Sequence, residues 1–164
     1  MRKVKKIGII GLGNPFRRDD GIGVSLLDFL QHNKKEFKKK ITLIDGGTGG
    51  MNLLHYLARF NVVLIIDAVS FGGKPGEARL FTSDQIQSKD PLITFSTHET
   101  DFLTVLSLSK ELHELPKKLI LFGIQPYDIS IGAGLTEQLI SCLEDLQIQL
   151  KKEIQSLIEE TFPS

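Results

Sequence analysis

Cysteine is almost absent from this chain, and tryptophan is missing altogether. The single thiol, Cys142, excludes an internal disulfide and any zinc site built on cysteines. It also makes a reducing, cytoplasmic setting the expected one. Leu135, Leu139, Cys142 and Leu146 recur at helical spacing, so Cys142 reads as a small core residue rather than a nucleophile. An excess of one charge is lacking too, since 20 Lys and Arg offset 20 Asp and Glu. Nucleic-acid binders need a basic face, and a zero balance gives no support for one. The basic runs at residues 34–40 and 117–118 read as solvated helix ends and strand approaches. Nowhere does an apolar run approach the roughly 20 residues that cross a bilayer. The opening, MRKVKKIGIIGLG, imitates a secretory signal, but its apolar part is short and no small-residue cleavage site follows it. A first strand is expected there instead.

What is present is a globular composition, 41% hydrophobic and 24% charged, in a length that suits one domain. Five short runs are rich in β-branched residues: KIGIIGLG (6–13), ITLID (41–45), NVVLIIDAV (61–69), EARLF (77–81) and KLILFGI (118–124). Their hydrophobicity is mostly continuous rather than alternating, the mark of strands buried on both faces of a parallel sheet. Helical patterns lie between most of them, in GVSLLDFLQHN, GMNLLHYLARF and THETDFLTVLSLSKEL. A long amphipathic helix is expected from about residue 135 to 160. EARLF reads as an edge strand, residues 71–75 as a turn, and residues 85–94 as a loop without clear period. The alternation predicts one doubly wound α/β domain over residues 1–164, with a mostly parallel five-stranded sheet flanked by helices.

In such sheets ligands sit beyond the carboxyl ends of the strands, near the point where strand order switches. The first strand leaves into GLGNPFRRDDGIG, the second into Asp45 of DGGTGG, the third into Asp67 of IIDAV, and the last into GIQP. Asp67 follows VVLII with no turn residue between, so it is expected to be partly buried. A buried carboxylate needs a hydrogen-bond cluster, a cation or a metal. Of the adjacent Asp19 and Asp20, one is expected to cap the following helix, leaving the other free to face the site. Ser96 followed by Glu99 fits a capping box. That places His98 in a first helical turn, where the dipole disfavours an imidazolium and favours a neutral, ligating ring. His32, His55 and His113 read as structural. Two carboxylates and an imidazole would suit zinc, iron or nickel with positions left open. Phosphate loops are excluded: Phe16 stands where the dinucleotide fingerprint needs its third glycine, and no G-K-[ST] follows.

In combination and in order, GLGNPFRRDDGIGV, DGGTGG, IIDAV, STHE and GIQP resemble the hydrogenase maturation endopeptidases, over nearly the whole chain. The resemblance implies a single α/β domain with a twisted, mostly parallel sheet. It implies metal contact, and a catalytic role, for Asp20, Asp67 and His98, and cleavage-site recognition by Asp45 with Gly46 and Gly47. The implied activity is a metal-dependent endopeptidase cut, with carboxylates as the acid–base groups. It removes a short C-terminal extension from the large-subunit precursor of a nickel–iron hydrogenase. Nickel would arrive in the precursor rather than as a resident cofactor. Two alternatives stand beside this reading. One is a non-catalytic nickel-binding module using the same ligands. The other is a peptidyl-tRNA hydrolase-like esterase, which also opens with GLGNP but should carry a Thr-Arg-His-Asn stretch that this chain lacks.

Overall fold

The middle of the sheet belongs to the most apolar strand. In a computed structural model, which describes residues 3–88, 90–95 and 99–164 (Val4, Glu99 and Thr100 by backbone alone), β3 (Phe60–Ser70) is flanked on both sides. Its run VVLII cannot face water on either side, and both faces are covered. β1 (Val4–Gly11), β2 (Ile41–Asp45) and β6 (Lys118–Ile124) run parallel to it. β4 (Ala78–Thr82) pairs antiparallel with β6, giving the order β2-β1-β3-β6-β4. The edge assigned to EARLF is therefore found, shifted by one residue. β5 is a sixth strand of two residues (Thr94–Phe95), antiparallel to the end of β3 at Val69 and Ser70. Two residues are too few to leave a pattern in sequence.

Adjacent residues of each strand feed opposite faces, as the pleat requires. Ile9, Leu64 and Ile66 join Phe122 under α1 (Ile22–His32) and α5 (Glu137–Thr161). Ile10, Val63 and Ile65 join Leu121 under α2 (Asn52–Arg59) and α4 (Glu99–Glu111). Cys142 packs against the first of these layers as a partly buried residue. α3 (Ser83–Gln87) occupies part of the stretch expected to be a loop. A reciprocal cap between Thr82 and Gln85 explains it: each backbone amide is taken by the other's side chain.

α1 and α2 leave β1 and β2 for opposite faces of the sheet, so the strand order switches beside β1. The crevice between the carboxyl ends of β1 and β3 is the switch point. Two glycines build it. A Cβ on Gly23 would lie 2.3 Å from the carbonyl oxygens of both Ile66 and Leu12, so only glycine lets α1 begin directly on the two strand ends. Gly13, at φ +129°, turns the chain so sharply that a Cβ there would sit 1.8 Å from the Asp20 carbonyl oxygen. Among the described residues no helix is long and apolar enough to cross a membrane.

Candidate active site at the switch point

The connection from β1 to α1 is a closed loop that returns to its own start. Leu12 N–H donates to Ile66 O, Arg17 N–H to Asn14 O, and Asp20 N–H to Arg17 O. A 3-10 turn, Arg18–Gly21, brings the chain back into the crevice. There Asp20 is fully buried, and its Oδ2 accepts from Asn14 N–H at 2.9 Å. Its Oδ1 is buried with no hydrogen-bond partner among the described residues. Across the crevice Asp67, 7% exposed, accepts among the described residues from the Ala68 amide alone, at 2.8 Å on Oδ1. Burial pushes the Asp67 carboxyl well above the usual carboxylate range. The Asp20 charge pushes it further up, and the Ala68 N–H pulls part of the way back. Two buried carboxylates that repel each other, one with a bare oxygen, fit a site short of positive charge, which a cation or a proton would supply.

Asp19 corrects the expectation that one of the pair caps α1. The helix starts from Gly21 with no side-chain cap, because the 3-10 turn runs straight into it and the Ile22 amide is already taken by the Asp19 carbonyl. The Asp19 side chain turns the other way. Tyr127 N–H at 2.9 Å and Asp128 N–H at 3.1 Å donate to its Oδ2, and Thr136 N–H at 2.8 Å to its Oδ1. The Thr136 hydroxyl lies 2.8 Å from Oδ2 and 3.0 Å from Oδ1. Asp19 therefore ties the loop after β6 to the loop after β1.

Asp45 stands apart from the pair. It is in register with Gly11, which on its other side is in register with Ile66, so Asp45 lies two strand spacings, roughly 10 Å, from Ile66, the residue before Asp67 in β3. It is exposed, and its Oδ1 accepts from Gly47 N–H at 2.9 Å, a tight turn completed by Gly47 at φ +57°. Gly46 N–H donates to Gly11 O and Gly13 N–H to Gly47 O, so the DGGT loop is stitched along the first loop. Ser96, Thr97 and His98, with the capping box expected there, lie outside the described residues. Among the described residues no three ligating side chains converge. His32, exposed, is the last residue of α1, with its Nδ1 2.8 Å from Asp28 O.

Gln125, in GIQP, is the residue whose part the sequence did not reveal. It is buried, and its Oε1 accepts from Phe71 N–H at 2.8 Å and Gly73 N–H at 3.2 Å. Its own amide donates to Glu77 O, and its carbonyl accepts from Gly76 N–H. The connection after β3, beside Asp67, is thus fastened to the end of β6. The signal was an amide directly after an apolar strand and before a proline. A concavity of about 880 Å³ lies at the other end of the sheet, among Lys6, Lys34, Lys35, Lys38 and Lys39. None of the strand-end carboxylates lines it, which leaves the acidic crevice as the candidate site.

Fold and crevice together define a doubly wound α/β domain with an acidic pair at its switch point. A family model described as hydrogenase maturation protease matches residues 25–162. The hydrogenase 2 maturation protease of Escherichia coli is 29% identical over 161 residues, covering 96% of each chain, so the likeness takes in the loop of Asp19 and Asp20. The hydrogenase expression/formation protein HupD of Bradyrhizobium diazoefficiens is 32% identical over 129 residues, 79% of this chain and 67% of that one. The solved structure of the hydrogenase maturating endopeptidase HybD from Escherichia coli superposes with a TM-score of 0.77 at 27% identity, covering 92% of this chain and 93% of that one. The chain belongs to the hydrogenase maturation protease family and is a hydrolytic endopeptidase. The peptidyl-tRNA hydrolase-like reading falls with that assignment.

Proposed function

We propose that this chain cuts a short C-terminal extension from the nickel-loaded large-subunit precursor of a nickel–iron hydrogenase, and that Asp20 and Asp67 address the nickel the precursor carries. The observation that carries the reading is the bare, buried Oδ1 of Asp20 in the same crevice as Asp67, whose carboxyl is pushed up by burial and by the Asp20 charge. Such a pair holds a divalent cation better than it holds two negative charges. His98, by the family resemblance, adds the third donor. The metal belongs to the substrate, which makes its loading state readable by the protease.

Cleavage adds water across one peptide bond. The substrate metal polarises the scissile carbonyl or the attacking water. One carboxylate of the pair takes the water proton and returns it to the leaving amide nitrogen. A carboxyl group displaced upward suits that exchange near neutral pH better than an ordinary one. Asp45 with Gly46 and Gly47 offers an exposed turn at the rim for the residues around the cut. This reading assigns the reaction to the cytoplasm, the reducing setting that a lone thiol, Cys142, suits.

Intact mass of a cognate precursor, incubated with the protein with and without prior nickel loading, tests the reading. Loss of a short C-terminal peptide from the loaded sample alone is the expected result. An unchanged mass in both, for a precursor known to be processable, would replace the protease reading with a non-catalytic nickel-binding role.

A further inference from the structure

We propose that Asp19 is a positioning residue, which aims Asp20 into the crevice by clasping the loop after β6. The inference rests on the reading of Asp20 as the group that meets the substrate metal. Asp19 and Asp20 are consecutive and both fully buried, yet they point to different partners. Asp20 keeps one oxygen bare. Both oxygens of Asp19 are taken by backbone and hydroxyl donors of Tyr127, Asp128 and Thr136. A carboxylate so saturated has no lone pair to offer a cation, so Asp19 acts through its neighbour.

The backbone explains why a clasp is needed. Arg18 sits at φ +45°, a left-handed conformation that a non-glycine residue keeps only where its surroundings impose it. Arg18 N–H donates to Gly132 O and Asp19 N–H to Asp128 O, both at 3.0 Å, so the strained step is held from the same loop that the Asp19 carboxylate grips. Releasing the carboxylate frees the 3-10 turn to relax. Asp20 then swings off the bond that Asn14 N–H makes to its Oδ2. A misplacement of about 1 Å at a reacting group can cost up to about a hundredfold in rate.

Asp19→Asn puts an amide NH2 against backbone donors and threatens folding itself. Thr136→Val is the gentler variant: it removes the hydroxyl that donates to Asp19 and that caps α5 by accepting from Leu139 N–H, and it leaves the backbone bonds, while Thr136→Ser restores both roles. Two readouts are taken on all of them: kcat and KM on nickel-loaded precursor, and hydrogen exchange of the Asn14 amide by NMR. Positioning predicts that Thr136→Val lowers kcat about tenfold with KM within about twofold, and that Asn14 exchange accelerates about tenfold. Thr136→Ser should match the wild type in both. A clasp that only stabilises the fold lowers the melting temperature of Thr136→Val but leaves kcat and Asn14 exchange unchanged, which overturns the proposal. So does a Thr136→Ser variant as impaired as Thr136→Val. If no variant nor the wild type cuts the precursor while Asn14 exchange still responds to Thr136→Val, positioning stands and the protease reading is the one that fails.

Discussion

Asp45 and Asp67 leave apolar parallel strands at the same rim, ITLID and VVLIID, and the sheet treats them in opposite ways. β2 is an edge, so Asp45 opens to water and spends one oxygen on its own turn. β3 is central and covered on both faces, so Asp67 stays in the interior beside a second carboxylate. The chemistry of the two side chains is identical. Position in the sheet turns one into a surface contact and the other into a group that needs a cation or a proton.

The sharpest way to break the comparison is to remove each carboxylate in turn. Asp67→Ala is expected to lower the rate of precursor cleavage about a thousandfold, measured by single-turnover mass spectrometry, whereas Asp45→Ala leaves kcat within a few-fold. Glycines at the two places should differ next. Gly23→Ala drives a Cβ into two backbone carbonyls that cannot give way, and a loss of about 3 kcal/mol is expected in urea denaturation. Gly46→Ala meets the side-chain ends of Leu12 and Ile10, which can move, and should cost about 1 kcal/mol.

A third test uses pH. Because the Asp67 carboxyl is raised in the folded protein, the stability it contributes is complete below the ordinary carboxylate range. That contribution is lost as pH climbs through the raised value. Asp67→Asn, neutral throughout, should melt higher than the wild type at neutral and alkaline pH, and the advantage should shrink toward zero in acid. Calorimetry across that range reads it directly. The smallest effect is structural, at the edge. Asp45→Ala gives up the Gly47 amide, about 0.5–1 kcal/mol at an exposed turn, and shows mainly as a raised KM for the precursor.

Asp67 was legible in the sequence because five apolar residues precede it without a turn, which leaves a carboxylate nowhere wet to go. The alternation of strands and helices was legible for the same reason, continuous apolar runs being rare outside covered strands. Asp19 and Asp20 could not be told apart. Both are aspartates in one loop, and what separates them is a set of donors more than a hundred residues further on. The cap on α3 stood in plain view as Thr82 and Gln85, but the helix it starts is only five residues long and shows no period. β5 and the strand order exist only through tertiary pairing, which no local pattern encodes.

Gln125 carries one last consequence. Every bond it makes to the connection after β3 runs between groups that neither gain nor lose a proton anywhere in the working range. The Gln125 clasp beside Asp67 is therefore blind to acidity, although the Asp67 carboxyl is not. A pH–rate profile of this enzyme will report the proton on Asp67 free of any contribution from that clasp coming loose.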